Sequence, residues 1–287
     1  MLTTKHQELV QLNNLIKQNI SGCSAFIQRK MKLFILILIL PIYIFGQSSR
    51  FIYKYRSLTD TLKKDTTITE MYLDVHNKES IFYDIQNYKN DSIASSHGEK
   101  LTNFENIVFK QYPNAISLIT KLYNDTYIVS DPRKMVWNIL PEKKKINEFL
   151  TQKATLDFGG RTWTAWFSTE IPIPDGPYKF HGLPGLIVKI EDHTLTHIFE
   201  LIAVKKTDAL LNDKINRQKS LSIDQKTYTK LYREYRENPN KNINRIDIVE
   251  TQDGKSGSEF KRNMENYYKN RLKKDNNIIE IDLLRKK

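Results

Sequence analysis

Residues 161–187 have the sequence RTWTAWFSTEIPIPDGPYKFHGLPGLI. The first eight alternate larger or apolar side chains with polar ones, which is typical of a β-strand. Trp163 and Trp166 lie on opposite faces of such a strand, so we expect cover on both sides. Three prolines follow and fix φ, which predicts an extended surface segment. A type II turn with positive φ at Gly185, and close backbone approach at Gly182, should then start the next strand.

The same period-two pattern predicts an antiparallel sheet around this stretch. Residues 148–157 and 161–169 form the clearest hairpin, because Gly159-Gly160 between them tolerates the positive φ of a tight turn. Residues 61–69 are predicted to be a polar connection, residues 87–100 a loop or short exposed helix, and Pro141 the start of a basic turn. Further strands are predicted at residues 50–56, 71–75, 80–85, 116–124, 127–130, 135–140, 186–191 and 196–205.

The pattern changes to a helical one after residue 205. Ser222 is predicted to cap a helix that ends at residues 238–240, and a second helix is predicted to start at Ser258. Each apolar stripe fits a face docked on the sheet, with a groove for a partner as the alternative; the stripes are Tyr228, Leu231, Tyr232 and Tyr235, then Phe260, Met264, Tyr267, Tyr268 and Leu272. The predicted fold class is α+β, a mainly antiparallel curved β-sheet with C-terminal helices packed on it.

An export signal is predicted at residues 31–46. Met31-Lys32 precedes a thirteen-residue apolar run that ends before the small residue Gly46, the order found in a secretory signal. The run is shorter than the ~20 residues of a membrane span, although an uncleaved anchor or a buried core helix remains an alternative. We expect translation to start at Met31, residues 1–30 to be an upstream extension, a β-rich domain at 47–205, and a helical, basic region at 206–287.

Charge and cysteine content narrow the function classes. The chain carries +12, and removal of residues 1–46, with five basic and one acidic side chain, leaves +8. This balance fits a solvated surface first, then an anionic membrane surface or acidic ligand; no nucleic-acid partner is predicted. The single cysteine, Cys23, precedes the signal, so the exported chain should have neither thiol chemistry nor a lipid-attachment site.

Catalytic patterns are missing from the sequence. There is no Gly-x-Ser-x-Gly elbow, His-Glu-x-x-His motif or phosphate-binding glycine loop, and no cofactor is predicted. His181, His193 and His197 are candidate metal ligands, because imidazoles close in sequence suit zinc or copper. A metal-assisted hydrolase around His181 and His193 is therefore the alternative to a binding function.

The quoted stretch resembles the GLPGLI family. Its hexapeptide is Gly182, Leu183, Pro184, Gly185, Leu186 and Ile187, and residues 153–155, 165–167, 170–172 and 176–178 also resemble the family pattern. The resemblance implies an exported protein of Bacteroidetes-type bacteria, often associated with TonB-dependent outer-membrane receptors, whose biochemical role is not established. Many relatives have a cysteine shortly before residue 153, where this chain has Leu150-Thr-Gln152.

Together these features predict an accessory binding module in the periplasm or at the outer membrane, not a lipoprotein, with no integral span after signal cleavage. The expected partner is a TonB-dependent receptor or another outer-membrane protein. An aromatic edge is the candidate contact surface, with burial of the same side chains in the core as the alternative: Trp163, Trp166, Phe167, Tyr178 and Phe180.

Overall fold

The computed structural model describes residues 48–86, 106–113, 115–123, 125–207, 220–239, 241 and 257–285. These residues fall in one compact unit, Ser48–Lys287. The predicted signal, the upstream extension and the loop predicted at 87–100 lie outside them. No helix of the described part is both long enough and apolar enough to span a membrane.

The described strands form one open sheet in the order β12-β6-β5-β4-β3-β2-β1-β11-β10-β9-β8-β7. Every pair is antiparallel except β12 with β6. The strands are β1 (Ser49–Asp60), β2 (Asp65–His76), β3 (Glu79–Asp84), β4 (Ile107–Gln111), β5 (Ala115–Leu122), β6 (Asp125–Ser130), β7 (Asn138–Ile146), β8 (Phe149–Phe158), β9 (Arg161–Ser168), β10 (Leu186–Asp192), β11 (His197–Lys206) and β12 (Leu221–Asp224).

Two α-helices follow the sheet in sequence, α1 (Gln225–Glu237) and α2 (Gly257–Lys274), with a 3-10 helix at Ile281–Leu284. The mainly antiparallel sheet with late helices is confirmed. From α1, Tyr228 enters the main core, and the Tyr235 ring meets the ring of Tyr123, just after β5, at a centroid distance of 5.2 Å. Tyr267 of α2 is 59 % exposed, so this member of the second stripe is not a core side chain.

The two faces of the sheet have different surroundings. We call inner the face whose side chains form the main hydrophobic cluster, and outer the opposite face. Inner-face members include Tyr53, Leu73, Phe82, Val108, Leu118, Ala154, Trp163, Ile190 and Phe199. The outer face carries a smaller cluster on β3–β5, formed by Ile81, Tyr83, Ile107 and Ile119, whereas its part on β1, β10 and β11 is rich in charged residues.

Several predicted boundaries are wrong for identifiable reasons. β2 begins at Asp65, within the predicted polar connection, because Thr66, Thr67 and Thr69 pair in register with β1. β7 runs through Pro141, which an edge strand tolerates, and a register shift between Ile139 and Lys143 takes up the irregularity. Residues 221–224 form β12, so the cap of α1 is Asp224, whose side chain accepts a hydrogen bond from the Thr227 amide.

The strand β4 has no counterpart among the predicted elements. It is only five residues long and carries Lys110 among its apolar side chains. Lys110 nevertheless points to the inner face, where its register partner across β3 is Ser80, and both residues are buried. A lysine at an inner position weakens the strand pattern in the sequence. Its ion pair with the buried Asp175 explains the placement.

Candidate functional site

The segment between β9 and β10, residues 169–185, is a strap that crosses the inner face. Phe180 and Leu183 of the strap are fully buried, and the Phe180 ring meets that of Trp163 at a centroid distance of 4.7 Å. Backbone hydrogen bonds anchor its two ends, since Leu186 N donates to Ile171 O at 3.0 Å and Ile187 N donates to Asp175 O at 2.9 Å. The extended, proline-rich segment of the prediction is therefore a covering layer over the core.

The glycines of the hexapeptide have the opposite roles to those predicted. Gly182 takes the positive φ, +90°, and a Cβ on it would meet open space. Gly185 has no positive φ, but a Cβ there would lie 2.1 Å from the carbonyl oxygen of Ser168. The predicted type II turn is thus wrong, and Gly185 is required because the strap passes directly against the end of β9.

The predicted aromatic edge is not an exposed surface. Trp163, Phe167 and Phe180 are at most 1 % exposed and Trp166 is 9 % exposed, so the alternative of core packing is correct for them. Tyr178 is half-buried and donates a hydrogen bond of 2.6 Å to Glu280. The strap is held on the sheet by four of these rings, those of Trp163, Phe167, Tyr178 and Phe180, because burying aromatic surface is the largest contribution that such side chains make. Trp166 lies on the other face of β9, where Lys144 Nζ is 3.8 Å from its ring centroid.

A charge network fixes the strap to the chain's last segment, residues 275–285. Lys179 Nζ lies 2.8 Å from Asp131 and 2.5 Å from Glu280, and Arg133 pairs with the same two carboxylates at 2.5 and 2.6 Å. Burial alone would raise the pKa of Glu280, but the two cations outweigh it and hold that pKa below its usual range. Two cations therefore balance two carboxylates; Lys179, Asp131 and Glu280 are buried, whereas the Arg133 side chain is 29 % exposed and connects them to the surface.

Arg161 forms a second buried junction with the same segment. Its guanidinium donates to the carbonyls of Ile278 and Ile279 at 2.8 and 3.0 Å, and to Asp192 at 3.1 Å. Asp192 also accepts hydrogen bonds from the amides of Thr196 and His197, both at 2.7 Å. The carboxylate thereby closes the β10–β11 turn and orients Arg161 toward the C-terminal segment.

The three candidate metal ligands do not form a site. His197 is buried, its Nδ1 lies 2.7 Å from the Tyr55 hydroxyl, and burial with the nearby Arg161 lowers its pKa to about 4. His193 is exposed in the turn, and His181 Nδ1 lies 2.9 Å from the Lys179 carbonyl oxygen. Among the described residues no three His, Cys, Asp or Glu side chains are grouped so that they could hold a metal ion.

The accessible candidate site lies on the outer face, in a pocket of about 310 Å³ that we call the outer pocket. Its lining residues come from four neighbouring strands: Lys54, Arg56, Ile68, Lys189, Ile198 and Glu200. Lys54 and Arg56 are exposed on β1. Three basic side chains and one acidic one thus lie beside two isoleucines, an arrangement suited to an acidic group with an adjacent apolar part.

Strand register explains how the outer pocket is built. Lys54 lies opposite Glu200 and Arg56 opposite Ile198 on β11, while Lys189 on β10 is also opposite Glu200. Lys189 pairs with Glu191 at 2.7 Å, so Lys54 and Arg56 are the more exposed cations. The sequence signal was available, because Lys54 and Arg56 alternate with Tyr53 and Tyr55, but their partners on β10 and β11 could not be assigned from sequence.

Comparison with known proteins gives a family description but no function. The model of a family described as "Protein of unknown function (Porph_ging)" matches residues 158–189, which comprise the end of β8, β9, the strap and the first residues of β10. A family of unknown function is therefore supported at the segment where the sequence resembles the GLPGLI pattern, and the GLPGLI name itself stays a prediction. No curated protein matches this chain.

Two solved structures show limited similarity. They are the structures of PNGF-II in space groups P21 and C2, with 16 % and 17 % sequence identity, each with a TM-score of 0.48 over 65 % of this chain. The similarity covers 33 % and 32 % of those chains, so this chain matches about a third of their length.

Proposed function

We propose that the protein is a non-catalytic binding module of the cell envelope, whose outer pocket holds an acidic segment of an outer-membrane partner. The observation that carries the proposal is the pocket itself, where Lys54 and Arg56 remain exposed beside Ile68 and Ile198. A TonB-dependent receptor is the expected partner, on the basis of the sequence resemblance. The export signal predicted at residues 31–46 supports placement in the periplasm or at the outer membrane.

The distribution of charged groups supports binding over catalysis. On the inner side, Lys179, Arg133 and Arg161 are each hydrogen-bonded to buried carboxylates or carbonyls, which leaves them committed to the fold. The lysine and arginine of the outer pocket, in contrast, are accessible to an acidic partner. Complementary charge of this kind raises association rates and fixes orientation more than it adds affinity.

A capture experiment tests the proposal directly. The immobilised protein is incubated with detergent-solubilised outer membrane, and retained proteins are identified by mass spectrometry. We expect a TonB-dependent receptor to be retained by the wild type and lost with the double variant Lys54→Glu, Arg56→Glu. Retention should also weaken as ionic strength rises, because surface charges are screened beyond ~10 Å at 0.1 M salt.

The matched control is the double variant Lys226→Glu, Lys230→Glu, which makes the same charge change at exposed positions of α1. It should retain the receptor as well as the wild type does. Equal loss in both double variants would mean that net charge alone is responsible. Equal retention in both, or retention of no outer-membrane protein by the wild type, would contradict the proposed function.

A further inference from the structure

Lys110 and Asp175 form a buried pair away from the outer pocket. Their side chains are 1 % and 0 % exposed, and Lys110 Nζ contacts Asp175 Oδ1. Lys110 also donates a hydrogen bond of 2.7 Å to the carbonyl of Gly176. The pair therefore joins β4 to the strap across the inner side of the sheet.

This pair differs from the ion pairs of Lys179 in its balance of partners. Asp131 and Glu280 each receive hydrogen bonds from Arg133 in addition to Lys179, and both oxygens of each carboxylate are engaged. Asp175 has a single cation, and its Oδ2 is buried with no hydrogen-bond partner among the described residues. The free-energy cost of burying an isolated ion pair in a dry interior is reduced when one proton moves from the ammonium to the carboxylate.

The surroundings of Lys110 favour its uncharged form. Burial lowers the pKa of Lys110, although the attraction of Asp175 opposes the effect. The neutral amine is the nucleophilic form of lysine, and desolvation is one of the ways in which proteins activate it. The Lys110 amine is therefore held beside the Asp175 carboxyl group in surroundings that promote attack of the amine on that group.

Two hydroxyl groups at the same place can move protons. The hydroxyls of Ser80 and Tyr112 are buried without a hydrogen-bond partner in the described part of the chain. Ser80 is the register partner of Lys110, and Tyr112 neighbours both Ser80 and Asp175. Burial raises the pKa of Tyr112, so this hydroxyl keeps its proton and is able to donate it toward Asp175.

We propose that Lys110 and Asp175 condense to an intramolecular isopeptide bond. The Lys110 amine attacks the carboxyl carbon of Asp175, so that a C–N bond forms while a C–O bond breaks. One amine proton passes through the neighbouring hydroxyls to the departing hydroxyl group, which leaves as water. The reaction therefore removes one water molecule and involves no change in oxidation state. Fixed, adjacent groups of this kind react with effective molarities of about 10⁵–10⁸ M.

The bond would fasten the strap covalently to β4. Cys23 is the single cysteine of the chain and lies outside the described residues, so the part of the chain that carries the sheet has no thiol with which to form a disulfide. An isopeptide bond would supply a comparable constraint, because cross-links stabilise chiefly by restricting the unfolded chain.

The test is a tryptic digest of the denatured full chain, analysed by tandem mass spectrometry. Trypsin cleaves the main chain after Lys110 when the lysine amine is free, and does not cleave there when the amine is acylated. We expect residues 101–121 joined to residues 162–179, with a mass one water below that of the two segments together. Lys179 is the internal control, because it is equally buried but lies between two carboxylates that Arg133 also pairs with, and cleavage should follow it. Separate peptides with normal cleavage after Lys110 would overturn the proposal.

Two substitutions of Asp175 provide a second test, whose outcome does not depend on the yield of folded protein. Asp175→Ala removes the carboxyl group, so its digest must lack the joined peptide; persistence of that peptide would place the link elsewhere and refute the assignment. Asp175→Asn keeps the shape and should yield the same joined segments with loss of ammonia in place of water. Loss of water in that variant would likewise contradict the proposed chemistry.

Discussion

The two faces of the sheet use similar residues for different purposes. On the inner side, Lys179 and Glu280 are buried and bonded to one another at 2.5 Å, and they tie the strap to the C-terminal segment. On the outer side, Lys54 and Glu200 lie opposite each other on neighbouring strands at the rim of a pocket. The contrast indicates that burial decides the role of a charge. Removing one partner of a buried ion pair leaves the other charge buried and unpaired, whereas an exposed charge remains solvated.

The largest effect should come from Glu280→Gln, which removes the carboxylate shared by Lys179 and Arg133. We expect the free energy of unfolding, measured by urea denaturation, to fall by about 4 kcal/mol. Because the pKa of Glu280 is lowered in the fold, its stabilisation is present above the unfolded value of ~4.3 and is lost as pH falls through the folded value. The difference between variant and wild type should therefore shrink in acid.

The matched control for Glu280→Gln is Glu200→Gln on the outer face. It should change the free energy of unfolding by no more than about 0.5 kcal/mol. Equal effects of the two substitutions would break the distinction between the faces.

A second prediction concerns the strap at Gly185. Gly185→Ala places a Cβ 2.1 Å from the Ser168 carbonyl oxygen, which forces the strap away from β9 and should lower the free energy of unfolding by about 3 kcal/mol. Gly182→Ala serves as the control, since it meets no neighbour and suffers only from its positive φ, at about 1 kcal/mol. Denaturant titration of both variants measures the difference, and a larger loss at Gly182 would refute the close-contact role of Gly185.

Histidine protonation gives a third, smaller effect. The pKa of His197 is lowered to about 4 by burial and Arg161, so the unfolded chain takes up a proton before the folded one does. Stability is then present above about pH 6.5 and is lost as pH falls toward 4, by about 2 kcal/mol between pH 7 and pH 5.

The variant His197→Gln should flatten that pH dependence, and His193→Gln in the exposed turn should leave it intact. Urea midpoints recorded across the pH range decide between them. A pH profile unchanged by His197→Gln would show that other groups produce it.

The smallest effect on stability is expected from the outer pocket. Lys54→Gln together with Arg56→Gln removes two exposed charges and should shift the free energy of unfolding by no more than about 0.5 kcal/mol. Thermal and urea unfolding of the double variant measure the shift. A loss comparable to that of Glu280→Gln would mean that these residues also serve the fold.

Much of the sheet could be predicted from local pattern. The hairpin of β8 and β9 around Gly159 and Gly160 is confirmed, with φ of 63° and 77° at the two glycines, because its turn and its alternation point to the same structure. β4 and β12 were missed, since a five-residue strand with Lys110 and a strand of only four residues give little periodicity. The aromatic edge was misplaced because alternation shows which rings share a face, and not which face is covered.

The sequence by itself determined the mainly β character, the late helices, and the segment at 161–187 that matches a family of unknown function. These features depend on side-chain periodicity and on short-range turn preferences, and residues that are neighbours in sequence determine both. The tertiary structure decided which charges are buried, which glycine needs its missing side chain, and which residues meet at the outer pocket. Those features depend on contacts between residues far apart in the chain, such as Lys110 with Asp175 and Lys179 with Glu280, and no local pattern specifies such pairs.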